Sequence, residues 1–206
     1  MKRLLGYFVV SMVLLLASAS LFAHTNKIVR STVEPKMPDV ATLYALDPIA
    51  HTLCFRDGLE GHVIQANQIY NRCSDLDFNW YSSDSLTVGI EGGRLGNIID
   101  LGTADELTQK YGNFERGVSA GEVFVSLHIE NENVVIFKDR KTVQPLKESS
   151  ELLCDGKVAA AAPVKLGHIY LVRISDRNDK SFQLFAKVLV VAHAPSESVA
   201  IRWQVL

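Results

Sequence analysis

Apolar and polar residues alternate along most of the chain beyond residue 52, which is the pattern of a half-buried β-strand. Turn-forming residues separate the alternating runs at short intervals. The runs cover residues 74–81, 86–90, 95–101, 123–129, 134–137, 169–174, 182–192 and 199–205. Many short strands separated by turns predict a mainly β fold, either an antiparallel β-sandwich or a barrel-like domain.

Two of the turns have the composition of β-hairpins. Gly92 and Gly93 stand between two alternating runs, and both positions of a two-residue hairpin turn need the positive φ that glycine adopts readily. Residues 176–179 are polar and separate 169–174 from 182–192. We therefore expect antiparallel pairing of the strands that flank each turn.

One short helix is expected among the strands. Thr103 and Glu106 have the spacing of a capping box, in which each side chain binds a backbone amide of the other residue. Gly112 suits the left-handed position that commonly follows a helix. The sequence predicts one short α-helix over residues 103–111.

The last two strands are expected at the centre of a sheet. Residues 182–192 carry apolar side chains on both faces, as in a strand that is covered on both sides. Residues 199–205 alternate almost to the end of the chain, and a terminal strand is usually docked into a sheet. We predict that these strands pair, and that Trp80 and Trp203 lie in the core.

The first 23 residues have the parts of a secretory signal peptide. A short basic start precedes a long apolar stretch, and small residues then suit cleavage after Ala19 or Ala23. An uncleaved membrane anchor is the alternative, because residues 4–23 carry no charge and are long enough to span a bilayer. We predict an exported protein, periplasmic or extracellular, with no membrane segment after cleavage.

The chain beyond the signal divides into two parts. Residues 24–46 contain two prolines and no sustained period, which predicts an extended N-terminal arm or a leading strand. Residues 47–206 are predicted to form a single β domain. The formal net charge is −2, whereas a nucleic-acid partner requires a basic face, so we expect no nucleic-acid partner.

The chain has three cysteines, whose pairing depends on the compartment in which the protein folds. They are Cys54, Cys73 and Cys154. In an oxidising compartment two can pair and one is left over. Cys54 and Cys73 are the disulfide candidates, since they flank one region of strand and turn. The alternative is that all three are small buried residues without a bridge.

Residues 117–121 match the Gly-x-Ser-x-Gly pattern around the catalytic serine of many hydrolases. In those enzymes a strand precedes the catalytic serine and a helix follows it. Ser119 would be that serine in this chain. Here a helix and a loop are predicted before the motif and a strand after it. We therefore interpret the motif as a turn that leads into a strand.

Asp75, Asp77 and Asn79 resemble the start of a calcium-binding loop. The sixth position of such a loop requires glycine and is Trp80, and the twelfth requires glutamate and is Leu86. A plain solvated strand face is therefore the preferred interpretation.

His24 is the candidate metal ligand. Cleavage after Ala23 would make it the first residue, and its amine and imidazole could then chelate copper together, since copper(II) favours nitrogen ligands in tetragonal geometry. The site would need a second histidine. The candidates are His51, His62, His128, His168 and His193.

No catalytic constellation survives its context, and a fold by itself does not define a function. We therefore expect a non-catalytic binding or structural module that engages a protein, a glycan or another component of the cell envelope. Tyr70, Tyr81 and Phe114 could supply exposed aromatic contacts for a glycan. The alternative is a copper-binding protein or enzyme that uses His24.

Overall fold

A five-stranded antiparallel sheet lies at the centre of the fold. It consists of β1 (Asp39–Tyr44), β5 (Arg94–Gly102), β10 (Ile169–Asp176), β11 (Gln183–Ala194) and β12 (Ser198–Val205), in the order β1-β12-β11-β10-β5. The structure is a computed structural model whose described residues all belong to one compact unit. It describes residues 39–47, 50–59, 74–91, 93–112, 117–131, 133–139, 141–153 and 159–206.

β11 is the middle strand of this sheet, as the apolar residues on both of its faces predict. It pairs with β10 across the hairpin turn at residues 176–179 and with β12 on its other side. Trp203 in β12 is 1% exposed, so its predicted burial is confirmed. The prediction of a mainly β, antiparallel fold is confirmed as well, and the described strands do not close into a barrel.

One face of the central sheet packs against a smaller, four-stranded sheet. Its strands are β2 (Thr52–Leu53), β3 (Leu76–Phe78), β4 (Ser85–Val88) and β9 (Ala161–Pro163), in the order β2-β3-β4-β9. Side chains from both sheets form one buried cluster, which we call the first core. Its largest fully buried members are Trp203, Tyr170, Phe55, Phe78, Leu43, Leu53, Leu76 and Leu86.

The opposite face packs against three helices and a third sheet. The helices are α1 (Ala104–Tyr111), α2 (Ala120–Ser126) and α3 (Ser149–Leu152), and the sheet is β6 (Leu127–Glu130), β7 (Asn133–Lys138) and β8 (Lys141–Pro145). We call the cluster on this face the second core. It includes Leu107, Tyr111, Val123, Phe124, Leu127, Ile136, Leu152, Leu171 and Leu189.

Part of the segment expected as an arm or a leading strand belongs to the central sheet. Residues 39–44 form β1, which pairs antiparallel with β12. Residues 1–38, which include the predicted signal peptide, lie outside the described residues. None of the helices in the described part of the chain is long and apolar enough to cross a membrane.

The hairpin predicted at Gly92 and Gly93 is wrong, because β4 and β5 belong to different sheets. The chain crosses from one sheet to the other where Gly89 and Gly96 meet. A Cβ on Gly89 would lie 2.3 Å from the Gly96 nitrogen, which no side chain tolerates. Glycine here permits close backbone approach between sheets, and Gly92 itself lies outside the described residues.

The expectation of a single helix is also wrong, since the described residues contain three. α2 occupies residues that alternate like a strand. Ser119 and Glu122 form a capping box at its start, just as Thr103 and Glu106 do at the predicted α1. The capping signal therefore decides the local structure where the alternation misleads.

The strand predicted over residues 74–81 is regular only at β3. Trp80 is 60% exposed in the turn that follows, so its predicted burial is wrong. Asp75 and Asp77, which were expected on a solvated face, are buried. The alternating pattern is present, but the four-stranded sheet is covered on the face that carries these carboxylates.

Candidate functional site

A groove with a volume of about 730 Å³ lies beside α2. Its walls come from α2, from the β6–β7 hairpin and from β12. The residues that line it are Val118, Ser119, Gly121, Glu122, Val125, Ser126, His128, Phe137, Lys138, Asp139 and Arg202. Apolar walls with a few convergent polar groups, at this size, are typical of a ligand site.

Arg202 is the central polar residue of the groove. Its side chain leaves β12 beneath α2, and the guanidinium lies 5.8 Å from the Phe124 ring centroid. Gly121 lies directly beside it, because a Cβ at that position would be in van der Waals contact with Nη1 of Arg202, at 3.5 Å. Within the described part of the chain Arg202 makes neither a hydrogen bond nor an ion pair, so its donors point into the groove.

A second cavity continues the groove on the other side of Arg202. Its volume is about 470 Å³, and it shares Gly121 and Arg202 with the first cavity. Its remaining lining residues are Ala120, Leu166, Gly167, Leu189, Val190 and Val191. The two cavities therefore form an elongated groove with apolar walls and one arginine at the junction.

Ser119 stands at the rim of the groove as the N-cap of α2. Its hydroxyl donates to Oε2 of Glu122 at 2.7 Å and accepts from the backbone amide of Glu122 at 3.2 Å. The hydrogen bonds from the Ser119 backbone and hydroxyl lower the pKa of Glu122. A helix does follow the Gly-x-Ser-x-Gly motif, contrary to the sequence prediction, but the serine hydroxyl is occupied in capping this helix.

His128 forms part of the groove wall and packs against Phe137, with 5.2 Å between ring centroids. Burial lowers the pKa of His128, and the nearby Lys187 lowers it further. The imidazole is therefore neutral at pH 7, which leaves Arg202 and Lys138 as the cationic groups along the groove.

Lys187 lies under the groove, in the middle of β11, and is fully buried. Its Nζ donates to the carbonyl oxygens of Phe124 at 2.6 Å and Leu127 at 2.7 Å, at the end of α2. Burial, with a smaller contribution from Arg202, lowers the pKa of Lys187 to about 7. A neutral amine has two N–H donors, and these two carbonyls accept both.

The histidines with described positions are dispersed rather than clustered. His51 lies 3.6 Å from Oδ2 of Asp77, and His168 and His193 each face a separate carboxylate. No group of three potential metal ligands occurs in the described segments. His24, on which the copper prediction rests, lies outside the described residues, as do His62, Tyr70, Cys73, Phe114 and Cys154.

The side chains that resemble a calcium loop bind backbone amides instead. An Asp75 oxygen accepts from the Phe55 amide at 2.9 Å, and an Asp77 oxygen accepts from the Trp80 amide at 3.2 Å. Asn79 accepts from the Asp84 amide at 2.7 Å. Asp75 thus joins the segment after β2 to the start of β3, whereas Asp77 and Asn79 close the turn between β3 and β4.

Sequence reasoning missed the groove because Arg202 and Lys187 carry no motif, although the Gly-x-Ser-x-Gly segment supplies part of one wall. Arg202 occupies a polar position of an alternating strand, and Lys187 interrupts an apolar run in β11. The capping box at Ser119 could have located α2, and hence one wall. The meeting of α2 with β12 is a long-range contact that no local pattern encodes.

The fold and the groove define a mainly β domain with a candidate ligand-binding site against its central sheet. No family model matches the chain, and neither a curated protein nor a solved structure matches it.

Proposed function

We propose that the protein is an exported, non-catalytic binding module whose ligand site is the groove around Arg202. The observation that carries the proposal is the Arg202 guanidinium, which has no ion-pair partner among the described residues and lies where two apolar-walled cavities meet. A guanidinium binds a carboxylate or phosphate through two parallel hydrogen bonds, while apolar walls contact the rest of the ligand. An amphipathic anion, with one acidic group on an apolar body, fits this arrangement.

The chemistry of the groove favours binding over catalysis. The Ser119 hydroxyl donates to the Glu122 carboxylate, whose lowered pKa makes it a weak base for activating a nucleophile. The Lys187 amine has a pKa of about 7, but it is buried beneath α2 and donates to two backbone carbonyls. Arg202, in contrast, presents only N–H donors, which suits the binding of an anion.

Titration with dodecanoate and with 1-anilinonaphthalene-8-sulfonate tests the ligand site. Both probes join one anionic group to an apolar body. Loss of a charge-assisted hydrogen bond typically costs about 1.5–3 kcal/mol, so Arg202→Gln should weaken binding about tenfold or more. Arg177→Gln is the matched control, because Arg177 is exposed in the turn between β10 and β11.

Equal affinity of wild type and Arg202→Gln, at equal melting temperature, would contradict the proposed site. A second variant, Gly121→Val, places a branched side chain at the junction beside Arg202. It should also weaken both probes. Unchanged binding in both variants would assign the probes to another surface.

Export rests on the sequence of residues 1–23 and is tested by the mass of the protein purified from its native host. Loss of residues 1–19 or 1–23 supports export, and a full-length product retained in the membrane contradicts it. The same measurement decides the copper alternative, because only cleavage after Ala23 leaves His24 with a free amine. Cleavage after Ala19 would eliminate the copper site.

Export would also allow the proposed disulfide between Cys54 and Cys73. Cys54 is buried directly after β2, and the β2–β3 register places Leu53 opposite Leu76. Cys73 therefore immediately precedes the stretch of chain that runs beside Cys54. Alkylation of the unfolded protein without reductant should modify a single cysteine, and modification of three would contradict the bridge.

A further inference from the structure

Two adjacent aromatic residues project from the turn that follows β3. Trp80 is 60% exposed and Tyr81 is 61% exposed. Large aromatic side chains are commonly buried, and exposed ones are enriched where proteins bind partners. This pair belongs to the four-stranded sheet and is separate from the groove, which lies on the other side of the central sheet.

The backbone of the pair is fixed by a buried carboxylate. Asp77 is fully buried and accepts hydrogen bonds from the backbone amides of Trp80 and Tyr81. Asn79 and Asp84 both have positive φ, and the Asn79 side chain accepts from the Asp84 amide at 2.7 Å, which closes the turn. The backbone of both aromatic residues is therefore fixed before any ligand arrives.

His51 supports the Trp80 ring from behind. The two rings are stacked, with 4.8 Å between centroids and 22° between planes. The Nδ1–H of His51 donates to the carbonyl of Asp47 at 2.7 Å, and Nε2 lies 3.6 Å from Asp77. One face of the indole is covered by this ring, so its exposure belongs to the other face and the edge.

The charges around the turn restrict the partner. Asp47, Ser82 and Ser83 are exposed near the pair, and Asp84 is partly exposed. Carboxylates without a neighbouring Lys or Arg in the turn repel anionic lipids and acidic polymers. Hydroxyl and carboxylate oxygens beside an aromatic face suit a neutral ring that has an apolar C–H face and a hydroxyl-bearing edge.

We propose that Trp80 and Tyr81 form a stacking platform for a neutral glycan, with pyranose rings seated on the indole face and hydroxyl groups turned towards the surrounding polar side chains. His51 is a positioning residue that sets the plane of the indole. Asp77 positions the backbone of both aromatic residues. This site is independent of the groove around Arg202.

The two tryptophans of the chain make the platform directly measurable. Trp203 is 1% exposed and reports on folding, whereas Trp80 reports on the platform. We would titrate the protein with cellotriose, maltotriose and the trimer of N-acetylglucosamine at millimolar concentrations. Binding should shift the Trp80 emission and slow its oxidation by N-bromosuccinimide, while the Trp203 signal stays constant.

Truncation of an aromatic anchor in an interface typically costs more than the free energy that corresponds to a tenfold change in affinity. Trp80→Ala should therefore weaken glycan binding about tenfold or more, and Trp80→Phe should retain part of it. Binding to Trp80→Ala is followed by calorimetry, since the optical reporter is lost. Val143→Ala is the control, because Val143 is a 43% exposed apolar residue of β8 that lines neither proposed site.

His51→Ala separates positioning from folding. It should weaken glycan binding while the Trp203 emission remains that of the folded protein. Absence of binding for all three sugars, or equal affinity in wild type and Trp80→Ala, would overturn the proposal. Protection of Trp80 by phosphatidylcholine vesicles but not by sugars would assign the surface to a membrane and would overturn it as well. Neither result affects the test of Arg202.

Discussion

The two sides of the central sheet stabilise neighbouring backbone with polar groups of opposite kind. On the first side, Asp75 and Asp77 are buried acceptors that bind the amides of Phe55 and Trp80. On the second side, the buried donors Lys187 and Asn97 bind carbonyls. Lys187 reaches the end of α2, and Asn97 donates to the Leu152 carbonyl at the end of α3.

The difference follows from the elements that cover each face. A helix ends with carbonyl oxygens that have no partner within the helix, so a buried helix end requires a donor. The turns between short strands present amides instead, and these require an acceptor. The buried polar side chains on the two sides of the central sheet therefore differ in type, although both cores are mainly apolar.

Removal of residues 199–206 should have the largest effect, because β12 serves both sides. Trp203 lies in the first core, while Arg202 faces α2 on the second. Loss of a core tryptophan alone typically costs about 3–5 kcal/mol, of the roughly 5–15 kcal/mol that stabilise a domain. The truncated chain should be unfolded or aggregated by circular dichroism and light scattering.

Solubility and cooperative melting of the truncated chain at the parent temperature would contradict a structural requirement for β12, which lies between β1 and β11 in the central sheet. Trp203→Ala in the full chain is the milder companion. It should lower the free energy of unfolding in urea while leaving the fold intact, which distinguishes a lost core contact from a lost strand.

The central strands were predictable because the hydrophobic pattern within each strand is sufficient to indicate its burial. The run at 182–192 is apolar on both faces and can only be buried between two layers. The polar turn at 176–179 joins strands that are neighbours in the sheet, so local pairing is also the global pairing. These elements hold the sheet that supports both candidate sites.

Elements that depend on distant partners were not predictable. Residues 123–129 alternate like a strand, but Val123, Phe124 and Leu127 also form a helical stripe, and the second core selects the helix. Gly92 and Gly93 have the composition of a hairpin turn, but the chain passes between sheets there. The groove around Arg202 and the exposure of Trp80 depend on such long-range packing, so only their residue types are visible in the sequence.

Lys187, which is buried on the second side of the central sheet, should make the free energy of unfolding depend on pH above pH 7. The pKa of Lys187 is lowered from 10.5 to about 7 in the fold, so the folded state binds fewer protons than the unfolded state between these values. Its contribution to stability is present above pH 10.5 and is lost as the pH falls through about 7. The free energy of unfolding should rise by up to about 1.4 kcal/mol per pH unit from pH 7 to 9.

Lys187→Met should remove this rise, and Lys180→Met, at an exposed turn position, should keep it. Urea titrations of all three proteins at several pH values measure the slopes. Parallel slopes for wild type and Lys187→Met would show that Lys187 keeps its charge in the fold.

Asp77, which is buried on the first side of the central sheet, should make the free energy of unfolding fall as the pH rises. Burial raises the pKa of Asp77 above 3.8, against the smaller lowering effects of His51 and the backbone amides. Its contribution is present below pH 3.8 and is lost as the pH rises through the raised pKa. Asp77→Asn should therefore gain stability relative to wild type between pH 4 and 6, by less than about 1.4 kcal/mol per pH unit.

Asp84→Asn provides the matched comparison, because the hydrogen bond from the Ser196 amide lowers the pKa of Asp84. The favourable contribution of that carboxylate is lost as the pH falls, so the two variants should differ in sign. Urea titrations from pH 4 to 6 decide this. If both variants changed the free energy of unfolding in the same direction, burial of the ionised Asp77 carboxylate would not destabilise the fold.

Ser119→Ala should have the smallest effect on stability. It allows the N-caps of two helices on the second side, α2 and α1, to be compared. Loss of an N-cap typically costs about 0.5–2 kcal/mol, and Thr103→Ala, which removes the matching cap of α1, should cost a similar amount. Thermal melting of the two variants measures this. A catalytic serine would behave differently, because its removal would abolish ester hydrolysis without a matching loss in Thr103→Ala. Equal stability losses and unchanged hydrolysis of p-nitrophenyl acetate are expected, since the Ser119 hydroxyl donates to Glu122 and therefore serves the helix.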